Sequence, residues 1–204
     1  MKYNLATHIP VMEHFYTIQG EGSFTGHAAY FIRLAGCDVG CVWCDVKESW
    51  TVEDKQWIAI DELIQEVLKY PARLVVITGG EPLMYDLSYL TKKLKDNGFQ
   101  INIETSGAYP LSGKLDWICV SPKKFKTPLN EVLEKANELK CIIFHKSDFE
   151  FAEKNKQFVS NNCKLYLQTE WSKKEQMVPL MVAYVKQYPQ WNISVQTHKY
   201  MDIP

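Results

Sequence analysis

The chain has 204 residues, of which 46% are hydrophobic and 23% are charged, and its formal net charge is −1. This length allows a core without disulfide bonds, and the balanced charge argues against electrostatic binding to nucleic acid. No apolar run approaches the roughly 20 residues that span a bilayer, and the first residues lack the apolar core of a signal peptide. We therefore expect one cytoplasmic domain over residues 1–204, with no membrane or nucleic-acid partner.

Short apolar, β-branched runs predict strands, and amphipathic segments between them predict helices. In chain order the predicted elements are strand 28–34, helix 60–68, strand 73–78, helix 86–97, strand 100–104, strand 117–120, helix 130–139, strand 140–145, helix 148–159, strand 164–168, helix 174–188 and strand 192–196. This alternation indicates right-handed strand–helix–strand units and a mostly parallel sheet. Ligands bind at the carboxyl ends of the strands in such sheets.

The loops that follow five of these strands hold most of the unusual residues. They span residues 36–44, 79–82, 104–107, 121–123 and 168–171. Their shared position after the strands predicts that they meet at one edge of the sheet.

The first of these loops carries Cys37, Cys41 and Cys44 in a C-x3-C-x2-C spacing, and Gly36 and Gly40 permit unusual backbone angles there. Structural zinc normally takes four closed ligands, and no second pair of closely spaced cysteines is present. Three soft thiolates suit an iron–sulfur cube with one iron free of protein ligands, where a substrate or cofactor can bind. The spacing is typical of radical S-adenosylmethionine (SAM) enzymes.

The alternative is a structural zinc site completed by a distant Cys119 or His198. The other three cysteines, Cys119, Cys141 and Cys163, lie in or beside predicted strands and suit small core residues. His198 is more often a packed or capping histidine than an acid–base group.

The loop Thr78-Gly79-Gly80-Glu81-Pro82 ends a strand of apolar residues. Its two glycines let the backbone approach a ligand and expose N–H and C=O groups, although an ordinary strand-to-helix turn has the same pattern. Glu104 could bind a ribose, and Trp171 could stack on adenine, while capped or surface turns explain these loops equally well.

Three further features suit a polar ring bearing a carboxylate. Gln19 donates and accepts at once, which suits the edge of a pterin or purine. Arg33 has a planar guanidinium group that can bind a carboxylate. Because Arg33 lies in an apolar strand, its charge requires a partner or water. The terminal carboxylate of Pro204, if it is docked, becomes a fixed anion near the site.

Together, the motifs YTIQGEG, the cysteine loop ending in Cys44-Asp45, TGGEP, SPK and QTHK before a terminal proline resemble the 7-carboxy-7-deazaguanine synthase family of radical SAM enzymes. The resemblance extends from about Glu13 to Pro204. It implies conversion of 6-carboxy-5,6,7,8-tetrahydropterin to 7-carboxy-7-deazaguanine with loss of ammonia, in queuosine and deazapurine biosynthesis. It also implies a homodimer whose fold is a shortened, partial (β/α) TIM-like barrel with mostly parallel strands.

The resemblance also implies roles for residues at matching positions, within a substrate-binding segment of about residues 13–27 and a cluster loop of residues 36–48. The implied ligands of a 4Fe-4S cluster are Cys37, Cys41 and Cys44. The implied substrate contacts are Ile18, Gln19, Gly20, Arg33, Thr78 and Pro204. The implied SAM contacts are Gly80, Glu104, Ser121, Pro122, Lys123, Gln168, Thr169, Glu170 and Trp171.

The chain departs from the family pattern at one position. The family uses magnesium, and a Thr or Ser two residues after the last cysteine supplies an oxygen to it, whereas Val46 stands here beside Asp45. A magnesium requirement is therefore an open question. An electron donor such as flavodoxin or ferredoxin is a further implied partner. The alternatives to this function are a glycyl-radical activating enzyme and a non-enzymatic zinc-binding scaffold.

Overall fold

A computed structural model describes residues 3–204. The strands of this part of the chain are β1 (His8–Ile18), β2 (Ala28–Leu34), β3 (Trp57–Ala59), β4 (Leu74–Gly79), β5 (Gln100–Thr105), β6 (Trp117–Val120), β7 (Glu138–Ile143), β8 (Lys164–Thr169) and β9 (Trp191–Ser194). Within residues 3–204 they form one open sheet in the order β3-β1-β2-β4-β5-β6-β7-β8-β9. From β2 to β9 the neighbours are parallel, which agrees with the predicted partial barrel.

The helices are α1 (Ile60–Val67), α2 (Ser88–Asp96), α3 (Asn130–Leu133), α4 (Asp148–Lys156), α5 (Lys174–Gln187) and α6 (Thr197–Met201). Helices α1 to α5 precede or link parallel strands and pack on the outer face of the sheet, whereas β5 and β6 are joined without a helix and α6 follows the last strand. In α1, Ile60, Leu63, Ile64 and Val67 follow the spacing of one helical face and all are buried. The main hydrophobic core lies between these helices and the sheet. No helix in residues 3–204 is long and apolar enough to cross a bilayer.

The structure corrects the sequence-based elements at the N-terminal edge. Strands β1 and β3 were not predicted, and β1 precedes the strand that sequence reasoning placed first. Both pair antiparallel, β1 with β2 and with β3. Strand β1 is only partly buried and mixes polar with apolar residues: its apolar run is interrupted by Pro10 and ends at Glu13, where the register also shifts.

The predicted helix 130–139 is also shorter than expected, because α3 ends at Leu133. Asn137 accounts for the difference: its side-chain oxygen accepts from the Ile118 amide at 2.8 Å, and its carbonyl accepts from the Lys164 amide at 2.8 Å. These bonds tie residue 137 between β6 and β8, so the chain must already be extended when β7 begins at Glu138.

The concave inner face of the sheet is polar over its second half. Glu104 on β5 is in register with Cys119 on β6, and Cys119 is in register with Glu138 on β7. Two residues further along β7, Lys140 points to the same side and is in register with Tyr166. The outer face therefore builds the core, and the inner face remains available for a site.

The segment that follows β1 crosses the open side of this partial barrel. The Gly22 amide donates to Ser194 Oγ at 2.9 Å, and the Ser23 amide donates to Glu138 Oε2 at 3.1 Å. The Thr197 amide donates to the Gly20 carbonyl at 2.9 Å. These contacts with β7, β9 and α6 compensate for the missing strands and place residues 19–23 beside the interior.

Candidate active site

A cavity of about 280 Å³ opens at the carboxyl ends of the parallel strands. It is lined by all but one of the predicted site residues: Ile18, Gln19, Gly20, Arg33, Cys37, Cys41, Cys44, Asp45, Val46, Thr78, Gly80, Glu104, Ser121, Lys123, Gln168, Thr169, Glu170, Trp171 and Pro204. Pro122 is buried and does not line the cavity. The loops that sequence reasoning grouped at one edge of the sheet do meet there.

The cysteine loop is held in place by its backbone. Gly36 and Gly40 have φ angles of 96° and 73°, which favour glycine. The Gly36 amide donates to the Ser49 carbonyl at 2.6 Å, and the Cys37 amide donates to the Trp50 carbonyl at 3.2 Å. The loop is therefore fixed at its base by the short turn that follows it.

The three cysteines on this loop are free thiols that face the same cavity. Burial raises the pKa of Cys37, and burial raises that of Cys41 to about 11 although Lys123 opposes the effect. Within residues 3–204, no three His, Cys, Asp or Glu side chains can hold a single metal ion between them. Three soft thiolates that face one cavity are the donor set of a cluster with three protein ligands, so the residues present fit such a cluster by their chemistry.

The loop after β4 packs directly against the cysteine loop. A Cβ atom on Gly80 would lie 2.8 Å from Cys37 Cβ and closer still to the Gly36 carbonyl oxygen. The amides of Gly80 and Glu81 donate to the carbonyls of Leu34 and Gly36, both at 2.9 Å. We expected these N–H groups to face a ligand, but they join the two loops instead.

Glu81 extends this connection to the loop after β5. Its carboxylate is buried and accepts from Leu83 N at 3.0 Å, from Thr105 Oγ1 at 2.6 Å and from Ser106 N at 2.8 Å. Since these bonds come from residues on either side of the cavity floor, Glu81 holds the ends of β4 and β5 at a fixed spacing.

A buried ionic network lies deeper in the cavity. Lys140 is 2% exposed, and its ammonium contacts Glu21 Oε2 at 2.5 Å and Glu104 Oε2 at 2.9 Å. The other oxygens of the two carboxylates accept from amides: Gln196 Nε2 donates to Glu21 and Gln19 Nε2 donates to Glu104, both at 2.9 Å. Residues from four separate segments are thus joined by one cation.

The charges in this network stabilise one another. Burial opposes ionisation of Glu21, but the charge and hydrogen bond of Lys140, together with hydrogen bonds from Gln196 and Gln168, outweigh burial and lower the pKa of that carboxyl to about 2. Burial likewise disfavours the Lys140 ammonium, yet Glu104 and Glu21 raise its pKa well above the usual value. Glu21 and Lys140 are therefore both charged at neutral pH.

Gln196 leaves one acceptor free in this network. Its amide nitrogen donates to Glu21, which orients the side chain, and its Oε1 atom is buried without a hydrogen-bond partner among the described residues. Because an unpaired buried acceptor is costly, this oxygen suits a ligand that donates an N–H group.

Arg33 and Pro204 lie towards the N-terminal strands. Arg33 Nε donates to Glu13 Oε1 at 2.7 Å, which provides the partner that its position in a strand requires. Pro204 lines the cavity, and its carbonyl oxygen accepts from Thr17 Oγ1 at 3.4 Å. Pro204 is thus placed beside β1, where its carbonyl oxygen lies at the cavity.

The predicted magnesium position lacks a suitable set of ligands. Val46 has no side-chain oxygen, and the Asp45 carboxylate is 68% exposed with the Lys199 ammonium 3.9 Å away. Magnesium prefers several oxygen ligands in near-octahedral geometry. The protein residues here do not fit such a site.

Several polar residues of the cavity were not among the predicted site residues, including Glu21, Glu81, Lys140 and Gln196. Lys140 had a usable signal, because it stands inside an apolar strand just as Arg33 does, and the same requirement for a partner applies. Glu81 was visible only as part of a loop motif. Glu21 contacts Lys140, which is 119 residues away in the chain, and Gln196, which is 175 residues away. Local sequence patterns do not reveal contacts between residues so far apart.

Comparison with known proteins identifies the class. The Radical SAM superfamily model matches residues 31–143, more than half of the chain, from β2 to β7. The chain therefore belongs to the radical SAM superfamily, in agreement with its cysteine loop and partial barrel.

Closer relatives narrow the assignment. The chain is 55% identical to a 7-carboxy-7-deazaguanine synthase of Flavobacterium psychrophilum, over 96% of this chain and 93% of that protein. It is 46% identical to a synthase of the same name from Synechocystis, over 98% and 95% of the two chains. The crystal structure of QueE from Escherichia coli superposes with a TM-score of 0.83 and 34% identity, covering 92% of this chain and 93% of that one. The chain belongs to the 7-carboxy-7-deazaguanine synthase family, which confirms the sequence-based resemblance.

Proposed function

We propose that this chain converts 6-carboxy-5,6,7,8-tetrahydropterin to 7-carboxy-7-deazaguanine and ammonia. The two products together contain all the atoms of the substrate, so the overall reaction needs no net oxidant or reductant. The observation that carries the proposal is the cavity itself, which combines three cluster-type thiols with a polar interior suited to a small heterocycle. The relatives' names point to the same product.

The cofactors of this class are a 4Fe-4S cluster and SAM, which together supply a 5′-deoxyadenosyl radical for hydrogen abstraction. Cys37, Cys41 and Cys44 would hold the cluster. Gly80 packs against the Cys37 side chain, so the loop after β4 fixes the wall on which SAM would lie. The other proposed SAM contacts, except the buried Pro122, also line the cavity: Glu104, Ser121, Lys123, Gln168, Thr169, Glu170 and Trp171.

The remaining polar groups suit the pterin. Gln19 and Gln196 are oriented by the carboxylates of Glu104 and Glu21, and Gln196 Oε1 is free to accept from a ring N–H group. The Arg33 guanidinium offers positive charge for the substrate carboxylate. Ile18, Gly20, Thr78 and Pro204 complete the proposed substrate contacts.

We further propose one radical SAM domain that works as a homodimer, with flavodoxin or ferredoxin as its electron donor. A reducing cytoplasmic setting suits its six free cysteines. The glycyl-radical activating and zinc-scaffold alternatives gain no support from the named relatives.

The test is anaerobic reconstitution with iron and sulfide, followed by SAM, a reductant and the carboxytetrahydropterin. We expect 7-carboxy-7-deazaguanine and an equal amount of ammonia. Cys41→Ala should lose both the cluster and product formation, whereas the matched control Cys163→Ala, a buried cysteine outside the cavity, should keep both. A fully loaded wild-type enzyme that makes no product would refute the proposed reaction.

A further inference from the structure

The outer part of the cysteine loop, residues 38–45, has little support from its own backbone. Among the described residues, its one backbone-to-backbone hydrogen bond runs within the loop, from the Cys44 amide to the Cys41 carbonyl at 3.1 Å. Backbone bonds to the rest of the protein are made only at the base of the loop. Val39 is buried, but apolar packing is non-directional. Side chains must therefore fix the direction in which this part of the loop points.

Three side chains supply such a contact on the outer side of the loop. The Tyr109 hydroxyl donates to Asp38 Oδ2, and Lys126 Nζ donates to the same oxygen at 2.7 Å. Lys126 Nζ also donates to Tyr109 Oη at 2.7 Å and lies 4.1 Å from the centre of the tyrosine ring. Each group is thus bonded to both others. We call Asp38, Tyr109 and Lys126 the loop clamp.

The two partners of Asp38 come from well-anchored segments. Lys126 ends the turn of residues 121–126, which is closed by an antiparallel backbone bridge between Lys123 and Lys126. Tyr109 follows Gly107, whose carbonyl accepts a backbone hydrogen bond at 2.8 Å from the residue that precedes α3. The loops after β5 and β6 therefore hold the cysteine loop together. The turn of residues 121–126 also carries proposed SAM contacts, so the clamp joins that turn to the cysteine loop.

We propose that Asp38, Tyr109 and Lys126 are positioning residues that hold the cysteine loop closed around the 4Fe-4S cluster. This inference rests on the proposed function, because it requires that the three cysteines bind a cluster. Within residues 3–204 the clamp side chains do not line the cavity, so they act through the loop and not on a ligand. Asp38 is adjacent to Cys37, and its bonds restrain the loop between the first and second cysteines. Opening of the loop must break the clamp.

The test measures the release of iron from the anaerobic reconstituted holoenzyme. Excess bathophenanthroline disulfonate, a strong iron chelator, is added without SAM or substrate, and the loss of cluster absorbance is followed. Tyr109→Phe removes a hydroxyl and no charge, and it should speed release about fivefold, as expected for one hydrogen bond to a partly exposed carboxylate. Lys126→Met should act in the same direction. Lys126→Arg should restore the rate to within about twofold of wild type, because a guanidinium also binds a carboxylate.

The chain contains a matched control on its outer helices. Tyr89 Oη donates to Asp61 Oδ2 at 3.1 Å, and Lys93 Nζ pairs with Asp61 Oδ1 at 2.8 Å and lies 5.1 Å from the centre of the Tyr89 ring. Tyr89→Phe removes the same hydroxyl from the same kind of triad and should leave the release rate unchanged. Urea unfolding should give equal midpoints for Tyr89→Phe and Tyr109→Phe, so that a general loss of stability does not explain faster release.

The EPR spectrum of the reduced cluster, recorded as SAM is titrated, provides a readout that stability alone does not change. If the loop is correctly placed only part of the time, the apparent affinity for SAM falls by that fraction, and Tyr109→Phe should need about threefold more SAM. The proposal is overturned if Tyr109→Phe and Lys126→Met release iron as slowly as wild type, if Tyr89→Phe speeds release equally, or if the SAM titrations coincide. A wild-type chain that takes up no cluster would overturn the proposed function as well, whereas product formation by the loaded wild type tests the reaction separately.

Discussion

Replacing Lys140 by methionine tests whether the buried ionic network holds the barrel together. The substitution keeps the length of the side chain but leaves Glu21 and Glu104 as largely buried carboxylates without a cation, since their side chains are only 16% and 22% exposed. The Glu21 pKa is lowered from 4.5 to about 2 in the folded chain, which corresponds to about 3 kcal/mol of folded-state stabilisation at neutral pH. Breaking a buried ion pair generally costs about 3–5 kcal/mol, so the two estimates agree.

Urea unfolding followed by tryptophan fluorescence should show this loss as a fall of about 1.5 M in the midpoint at pH 7, given a slope of about 2 kcal/mol per molar. The control Lys92→Met removes an exposed pair with Asp96 and should cost less than about 1 kcal/mol.

The Lys140 effect should also depend on pH in a defined direction. A carboxyl whose pKa is depressed on folding stabilises the protein above its unfolded pKa, and that contribution is lost as the pH falls through the folded pKa. For Glu21 the window runs from 4.5 down to about 2. The difference between wild type and Lys140→Met should therefore shrink across this range. A loss under about 1 kcal/mol at pH 7, or a difference that stays constant below pH 4.5, would refute the reasoning.

Two further substitutions test the cavity walls. Gly80→Ala should reduce the iron content of reconstituted protein several-fold, because the added Cβ would displace the cysteine loop. The control is Gly26→Ala, where an added Cβ meets nothing within 4 Å. This variant should bind a normal amount of iron despite some backbone strain. Val46→Thr should add an oxygen ligand and strengthen magnesium binding, which would be measured as a lower Kd than that of wild type by calorimetric or Mn²⁺ EPR titration. Val52→Thr is the control. Equal Kd values for Val46→Thr and wild type would show that position 46 does not set the affinity.

The parallel part of the sheet was predictable because its strands are buried on the outer face, and their sequences are short apolar runs. Strands β2 and β6 have the predicted bounds, and the loops after them meet as expected. Strand β1 was not predictable in the same way. Most of its residues are partly buried, and it pairs antiparallel with a neighbour on each side, β2 and the edge strand β3, so neither a long apolar run nor a clean alternation marks it.

The residues of the candidate site also fall into two groups, those that the local sequence predicts and those that only the whole fold brings together. Cys37, Cys41 and Cys44 are close in the chain, so their spacing alone predicted the chemistry of the loop. Glu21 and Lys140 are separated by 119 residues and meet only because residues 19–23 cross the open side of the barrel. That crossing depends on the sheet remaining open, which is a property of the whole fold.

One local rule would have recovered part of the network. Glu138 and Lys140 are two residues apart on β7, so they share a face, and both are at most 3% exposed. Two opposite charges on the buried face of an apolar strand cannot be satisfied by solvent, and each requires partners from elsewhere in the chain. Glu138 accepts hydrogen bonds from Ser23 N and Trp117 Nε1, and Lys140 forms ion pairs with Glu21 and Glu104. A charged pair at this spacing in a parallel strand therefore indicates a polar barrel interior, and with it a site, before any motif is recognised.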